Sequence, residues 1–218
     1  MLHRDHLMRL VEQLVQALAK IDILKEQQNY SQALDVIRET GKLLVGVDLS
    51  MLNFISDSDL LTLFKAGDPL NAGRFIVLAG LLYEEGDINL ILEKNNESFR
   101  CYLKSLVLYC EAIKFKEILN QQDYFDKIET IVQKLSGYDL TWNAKSSLII
   151  YYEATGKYSG AEDLIFELAE AGDEQILSSG ISFYQRLLLK TDEEIEKGNL
   201  TREEIENAIL ELNKMAHR

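Results

Sequence analysis

The sequence predicts an all-α protein built from antiparallel helical hairpins, and three observations lead there. Apolar residues recur at helical spacing along most of the 218-residue chain. One proline, twelve glycines and abundant Leu, Ile, Glu, Lys and Ala suit helices joined by short turns better than a turn-rich sheet. The stretch KYSGAEDLI (157–165) has two counterparts, NYSQALDVI (29–37) and DYFDKIETI (123–131), each with a tyrosine second and an isoleucine seven residues later.

The elements follow in order. Leu7, Val11, Leu14, Leu18 and Ile21 step by four, three, four and three, with Leu10, Val15 and Leu24 widening the apolar face of a first helix. Asn29 interrupts it, and Tyr30 to about Val45 resumes the period, so the two helices form a hairpin. After Gly46, Ser56 and Asp57 are N-cap candidates for a short helix ending at Gly67. Asp68 caps the next, Pro69 takes its first position, and it runs to Glu85 and stops at Gly86. The polar stretch from Asp87 to Glu97 reads as a longer connection before a long helix reaching about Asn120. Further helices are expected over Tyr124–Leu135, Trp142–Thr155 and Tyr158–Ala171, with Gly137, Gly156 and Gly172 at their ends. One more extends from Glu174 to about Lys197, and the last starts at Thr201, which with Glu204 makes a capping box.

Tyr124 and Tyr158 are 34 residues apart, and the segment from Trp142 to Gln175 resembles the tetratricopeptide repeat. Leu148 and Tyr152 lie on its first helix, Gly156 in its turn, and Tyr158, Ala161 and Ile165 on its second. Tyr30, Ala33 and Ile37 echo the second helix, and LAGLLYEEGD echoes the first, with Leu78, Leu82 and Gly86 in the places of Leu148, Tyr152 and Gly156. Lys127 replaces the small residue in the third copy. The expectation is one domain over 1–218, a degenerate tetratricopeptide-like superhelix with its best unit at 142–175. A wider resemblance rests on DHLMRLVEQLVQALAKI, SDSDLLTLFKAGD, LAGLLYEEGDI and FYQRLLLKTDEEIEKGNLTREEIENAILEL. These look like an uncharacterised family of small helical proteins of Gram-positive bacteria. That resemblance implies a cytoplasmic protein and no particular activity.

Composition excludes several classes. A net charge of -13 leaves no run of Lys and Arg to track phosphates, which argues against nucleic acid and against anionic membrane surfaces. The most apolar run, FIVLAGLLY, is far shorter than the roughly 20 residues of a membrane helix. The charged start, MLHRDHLMRL, does not resemble a signal peptide. Cys101 and Cys110 are nine apart, which on one helix turns them about 180° from each other. That spacing suits neither a disulfide nor a zinc knuckle, so both read as buried thiols in a reducing compartment. His3 and His6 with Asp5 lack a fixed third ligand, so no metal is expected.

No nucleophile elbow, zincin, P-loop or dinucleotide fingerprint is present, so no catalytic residue and no cofactor is expected. The segment from Asp192 to Glu206, with seven acidic and two basic residues, reads as a solvated helix end, or as a contact for a basic partner. In a tetratricopeptide-like array the first helices of the hairpins line a concave face that accepts a peptide. Matched position by position, that face takes Tyr109, Ala112 and Lys116 in one hairpin and Asn143, Ser146, Ile150 and Glu153 in the next. Tyr109 would be an apolar anchor, Lys116 an electrostatic contact, and Asn143 and Ser146 hydrogen-bonding groups, while Trp142 is expected in the core. The leading expectation is therefore a non-enzymatic adaptor for a protein or peptide. A self-associating structural homodimer is the alternative, and an enzyme with a site assembled from distant helices comes third.

Overall fold

A computed structural model describes residues 2–52, 54–63, 71–115, 120 and 122–217, with backbone only for residues 2–4 and 58. These residues form helices and no strand, in two compact units, 1–144 and 145–218.

In the first unit, α1 (Leu2–Glu26) and α2 (Tyr30–Val45) make the expected hairpin. The Asn29 side chain accepts from the Gln32 amide, and Gly46 ends α2 in the left-handed region at φ 72. Two short helices follow, α3 (Leu49–Leu52) and α4 (Asp57–Leu63), and the Ser56 hydroxyl accepts from the Asp59 amide as an N-cap does. The stop at Gly67 and the start at Asp68 and Pro69 lie outside the described residues.

The centre of this unit is α5 (Ala72–Ile91) packed along α6 (Asn95–Ala112). Phe75 through Leu82 are buried without interruption, as are Cys101 through Ala112. A helix apolar on every side belongs inside, and α1, α2 and α7 (Gln122–Lys134) cover this pair. Both cysteines are buried and free.

Gly86 does not stop α5. The helix continues to Ile91, and only Leu92–Lys94 connect it to α6. A Cβ at Gly86 would stand 2.8 Å from Tyr102 Cε1 and 3.3 Å from Cys101 Cβ. This glycine therefore serves the close approach of two helices rather than a turn. LAGLLYEEGD accordingly departs from the tetratricopeptide pattern at Gly86, and the long connection expected from Asp87 to Glu97 shrinks to Leu92–Lys94, with helix on either side.

The next helix, α8 (Trp142–Thr155), begins in the first unit and continues into the second. There, α9 (Tyr158–Glu170), α10 (Glu174–Leu187), α11 (Asp192–Lys197) and α12 (Arg202–Ala216) surround a core of Ile165, Phe183, Tyr184, Leu187, Ile205 and Leu212. Gly156 and Gly172 hold φ of 74 and 89 at the ends expected for them. The single helix expected from Glu174 to Lys197 is two. Thr191 and Glu194 form a complete capping box that starts α11, and Thr201 and Glu204 form another that starts α12. No helix among the described residues is long and apolar enough to cross a membrane.

Candidate partner-binding cleft

The short helices α3 and α4 expose one apolar side each. Leu49, Leu52 and Leu60 are buried, which leaves Met51 67% exposed, Leu63 59% and Phe54, in the turn between them, 91%. Together with Val47 and Arg74 they line an open groove of about 930 Å3 with a mainly apolar wall. Met51, Phe54 and Leu63 thus share one exposed apolar patch.

Phe54 and Ile55 also border a second cleft, of about 720 Å3, whose lining is polar and apolar in equal measure. Lys104, only 4% exposed, donates from Nζ to the Leu52 carbonyl at 2.5 Å. Burial pushes its pKa down, and the nearby Asp57 carboxylate opposes that shift. Asp57 is itself held by the Thr141 hydroxyl at 2.7 Å. Phe99 stacks on Tyr138 at 4.6 Å between ring centroids and closes one end. Arg74 and Arg100 are exposed and take no ion-pair partner among the described residues. An acidic chain thus presents two uncommitted guanidinium groups and a buried ammonium around one exposed phenylalanine.

A second polar site lies between α1, α5, α6 and α7. Lys25 donates to Glu84 at 2.5 Å and to Asp87 at 3.4 Å; Lys134 donates to Asp87 at 2.9 Å, and the Tyr102 hydroxyl donates to it at 2.6 Å. Lys134 also lies over the rings of Tyr83 and Tyr102, 5.4 and 5.1 Å from their centroids. Burial, and then the Asp87 carboxylate, push the Tyr102 phenol up to about 12. For Lys134 burial works the other way, and the bond to Asp87 overcomes it and raises the ammonium pKa. Burial raises the Glu84 pKa despite Lys25. Beside this network is a cavity of about 140 Å3.

The pattern of a protein family described as a family of unknown function, DUF6483, matches residues 1–217. The chain belongs to that family. No curated protein and no solved structure matches it. The description of DUF6483 leaves the chemistry to be read from the residues themselves.

In this DUF6483 chain the groove residues expected from the repeat do not form one exposed face. Tyr109 is 2% exposed, stacks near Tyr124 and lines the small cavity, so its role as an outward anchor is corrected to that of a buried side chain. Lys116 lies outside the described residues. Asn143 belongs to the first unit and Ser146, Ile150 and Glu153 to the second, and all four are half-buried on α8. Glu153 accepts two bonds of 2.6 Å from the Arg186 guanidinium, a bidentate pair that engages both its oxygens. Trp142, expected in the core, is 43% exposed. His6 and Asp5 are exposed, and the His3 side chain is outside the description.

Sequence reasoning missed Phe54, Arg74, Arg100 and Lys104. Lys104 carried a signal, since it interrupts an otherwise apolar helix, CYLKSLVLYC. Phe54 carried none, because a lone aromatic between two short helices reads equally well as core.

Proposed function

We propose that this chain is a non-enzymatic binding module that docks a segment of another protein in the cleft around Phe54. The partner carries a bulky apolar side chain for the groove beside Met51 and Leu63, and a carboxylate for Arg100 and Arg74. The observation that carries this reading is Phe54, 91% exposed at the junction of both openings. Desolvating a large apolar side chain in such a groove supplies affinity, and the guanidinium groups around it supply orientation. Docking is placed here rather than on the concave repeat face because Tyr109 is buried and Glu153 is engaged by Arg186. A tetratricopeptide-like origin of the hairpins and a bacterial cytoplasmic location accompany the proposal.

A displayed random-peptide library panned on the purified protein tests it. The expected consensus pairs an aromatic or large aliphatic residue with Asp or Glu, and Phe54→Asp and Arg100→Glu each weaken the selected peptides about tenfold or more. The reading is wrong if no consensus emerges, or if the selected peptides bind Phe54→Asp as they bind the wild type. A mass in solution that doubles, and that Phe54→Asp returns to 24.9 kDa, would replace it with a homodimer through the same cleft.

A further inference from the structure

The cavity beside the ion-pair network stands apart from the cleft. The geometry points to a binding site there for a small zwitterion, an α-amino acid of glycine to serine size, held by its ammonium and carboxylate groups.

The first support is the Tyr109 hydroxyl. The side chain is 2% exposed and lines the cavity, and among the described residues its O–H has no hydrogen-bond partner. The hydroxyl therefore faces the cavity with its donor uncommitted, where a ligand acceptor can take it. Tyr83, half-buried on the same wall, has a second hydroxyl without a partner among those residues. Gly80 keeps the space open, since a Cβ there would stand 3.4 Å from the Tyr109 hydroxyl and 3.2 Å from Leu14.

The second support is the placing of opposite charges. Glu84 lines the cavity and gives only its Oε2 to Lys25, so Oε1 remains to accept. Its raised pKa reflects burial that Lys25 leaves uncompensated, and a ligand ammonium would compensate it. Lys127, exposed at the rim and without an ion pair among the described residues, is placed for a ligand carboxylate. Thr130 donates its proton to the Asp126 carbonyl, which leaves its oxygen as an acceptor. A simple anion would meet Glu84 and a simple cation would meet Lys127, whereas a zwitterion satisfies both. The volume of about 140 Å3 equals about five waters at roughly 30 Å3 each, which matches the smallest amino acids.

Calorimetric titration of the full chain with glycine, alanine and serine tests the site, beside N-acetylalanine, which lacks the ammonium, and alanine methyl ester, which lacks the carboxylate. At least one free amino acid should bind, and neither blocked form should. Tyr109→Phe should weaken binding about tenfold, the worth of one hydrogen bond to a charged group, while leaving the ligand-free melting temperature unchanged. Lys127→Gln, an exposed change that leaves the fold intact, should weaken it as well. The site is refuted if no free amino acid binds, if a blocked form binds equally, or if both variants bind as the wild type does. Water alone would then fill the cavity.

Discussion

Replacing Gly86 by alanine separates close helix packing from turn geometry. The added methyl would come 2.8 and 2.9 Å from Cε1 and Cδ1 of Tyr102, a ring that is 3% exposed and has little room to retreat. Overpacking of this kind costs about 1–3 kcal/mol. Moving the ring also disturbs the 2.6 Å bond from its hydroxyl to Asp87, and a hydrogen bond to a charged group is worth about 1.5–3 kcal/mol. Against these, alanine gains about 1 kcal/mol over glycine inside a helix. The net expectation is a loss of about 2–3 kcal/mol, or roughly 5–10 °C in melting temperature for a chain of this size. Urea unfolding followed by circular dichroism measures it, with an unchanged m-value as the check on cooperativity. In a Tyr102→Ala background the obstruction is gone, and the same substitution should become neutral or stabilising by up to about 1 kcal/mol. A turn glycine behaves otherwise. Gly156, at φ 74 with no side-chain atom nearer than 4.0 Å, should cost about 1–2 kcal/mol on replacement whatever its neighbours. An equal loss from Gly86→Ala in both backgrounds, or a gain in the wild type, would refute the close-packing account.

Cys101 and Cys110 should resist alkylation in the native protein at pH 8 and react only on unfolding, because burial pushes the Cys101 thiol up to about 12 and the Cys110 thiol further; prompt labelling of either would contradict their placement. Stability should fall as pH rises above about 10. Lys134 and Tyr102 both have folded pKa values above their unfolded ones of 10.5 and 10.0, so the native state holds protons that the unfolded chain releases. Asp87→Asn should lower stability at neutral pH and flatten that alkaline decline, since Asp87 is the carboxylate that raises both groups; an unchanged decline would show that the network does not act as described.

What could be read from the sequence was what is decided locally. The hairpin break at Asn29, the left-handed glycines at 137, 156 and 172, and the capping box at Thr201 each depend on a few neighbouring residues, and each stands where expected. Thr191 offered the same capping signal, with Glu194 three residues on in an acidic turn, yet the helical period through Leu189 masked it. Gly86 was misread because a glycine directly after an apolar helical run reads as a helix stop when no partner helix is known. Its true role depends on Tyr102, on the next helix. The cleft was harder still, since it is assembled from α3, α4, α5 and α6, and the exposure of Phe54 is a property of that assembly.

The ion-pair network shows how burial, fold and a ligand site become linked. Glu84 and Asp87 lie one turn apart on α5, and like charges at that spacing oppose the helix unless cations come from elsewhere. Lys25 arrives from α1 and Lys134 from α7, 59 and 47 residues away along the chain. The two lysines neutralise that repulsion along the C-terminal half of α5, which continues as helix to Ile91 where the sequence reads as a polar connection. The same constraint fixes Glu84 with one oxygen committed to Lys25 and the other left beside the cavity. An arrangement serving the fold alone could have ended at Asp87, which already receives both lysines and Tyr102. Glu84 adds a second half-buried carboxylate whose pKa burial raises despite Lys25, and its contribution is intelligible if a positively charged group occupies the space it faces.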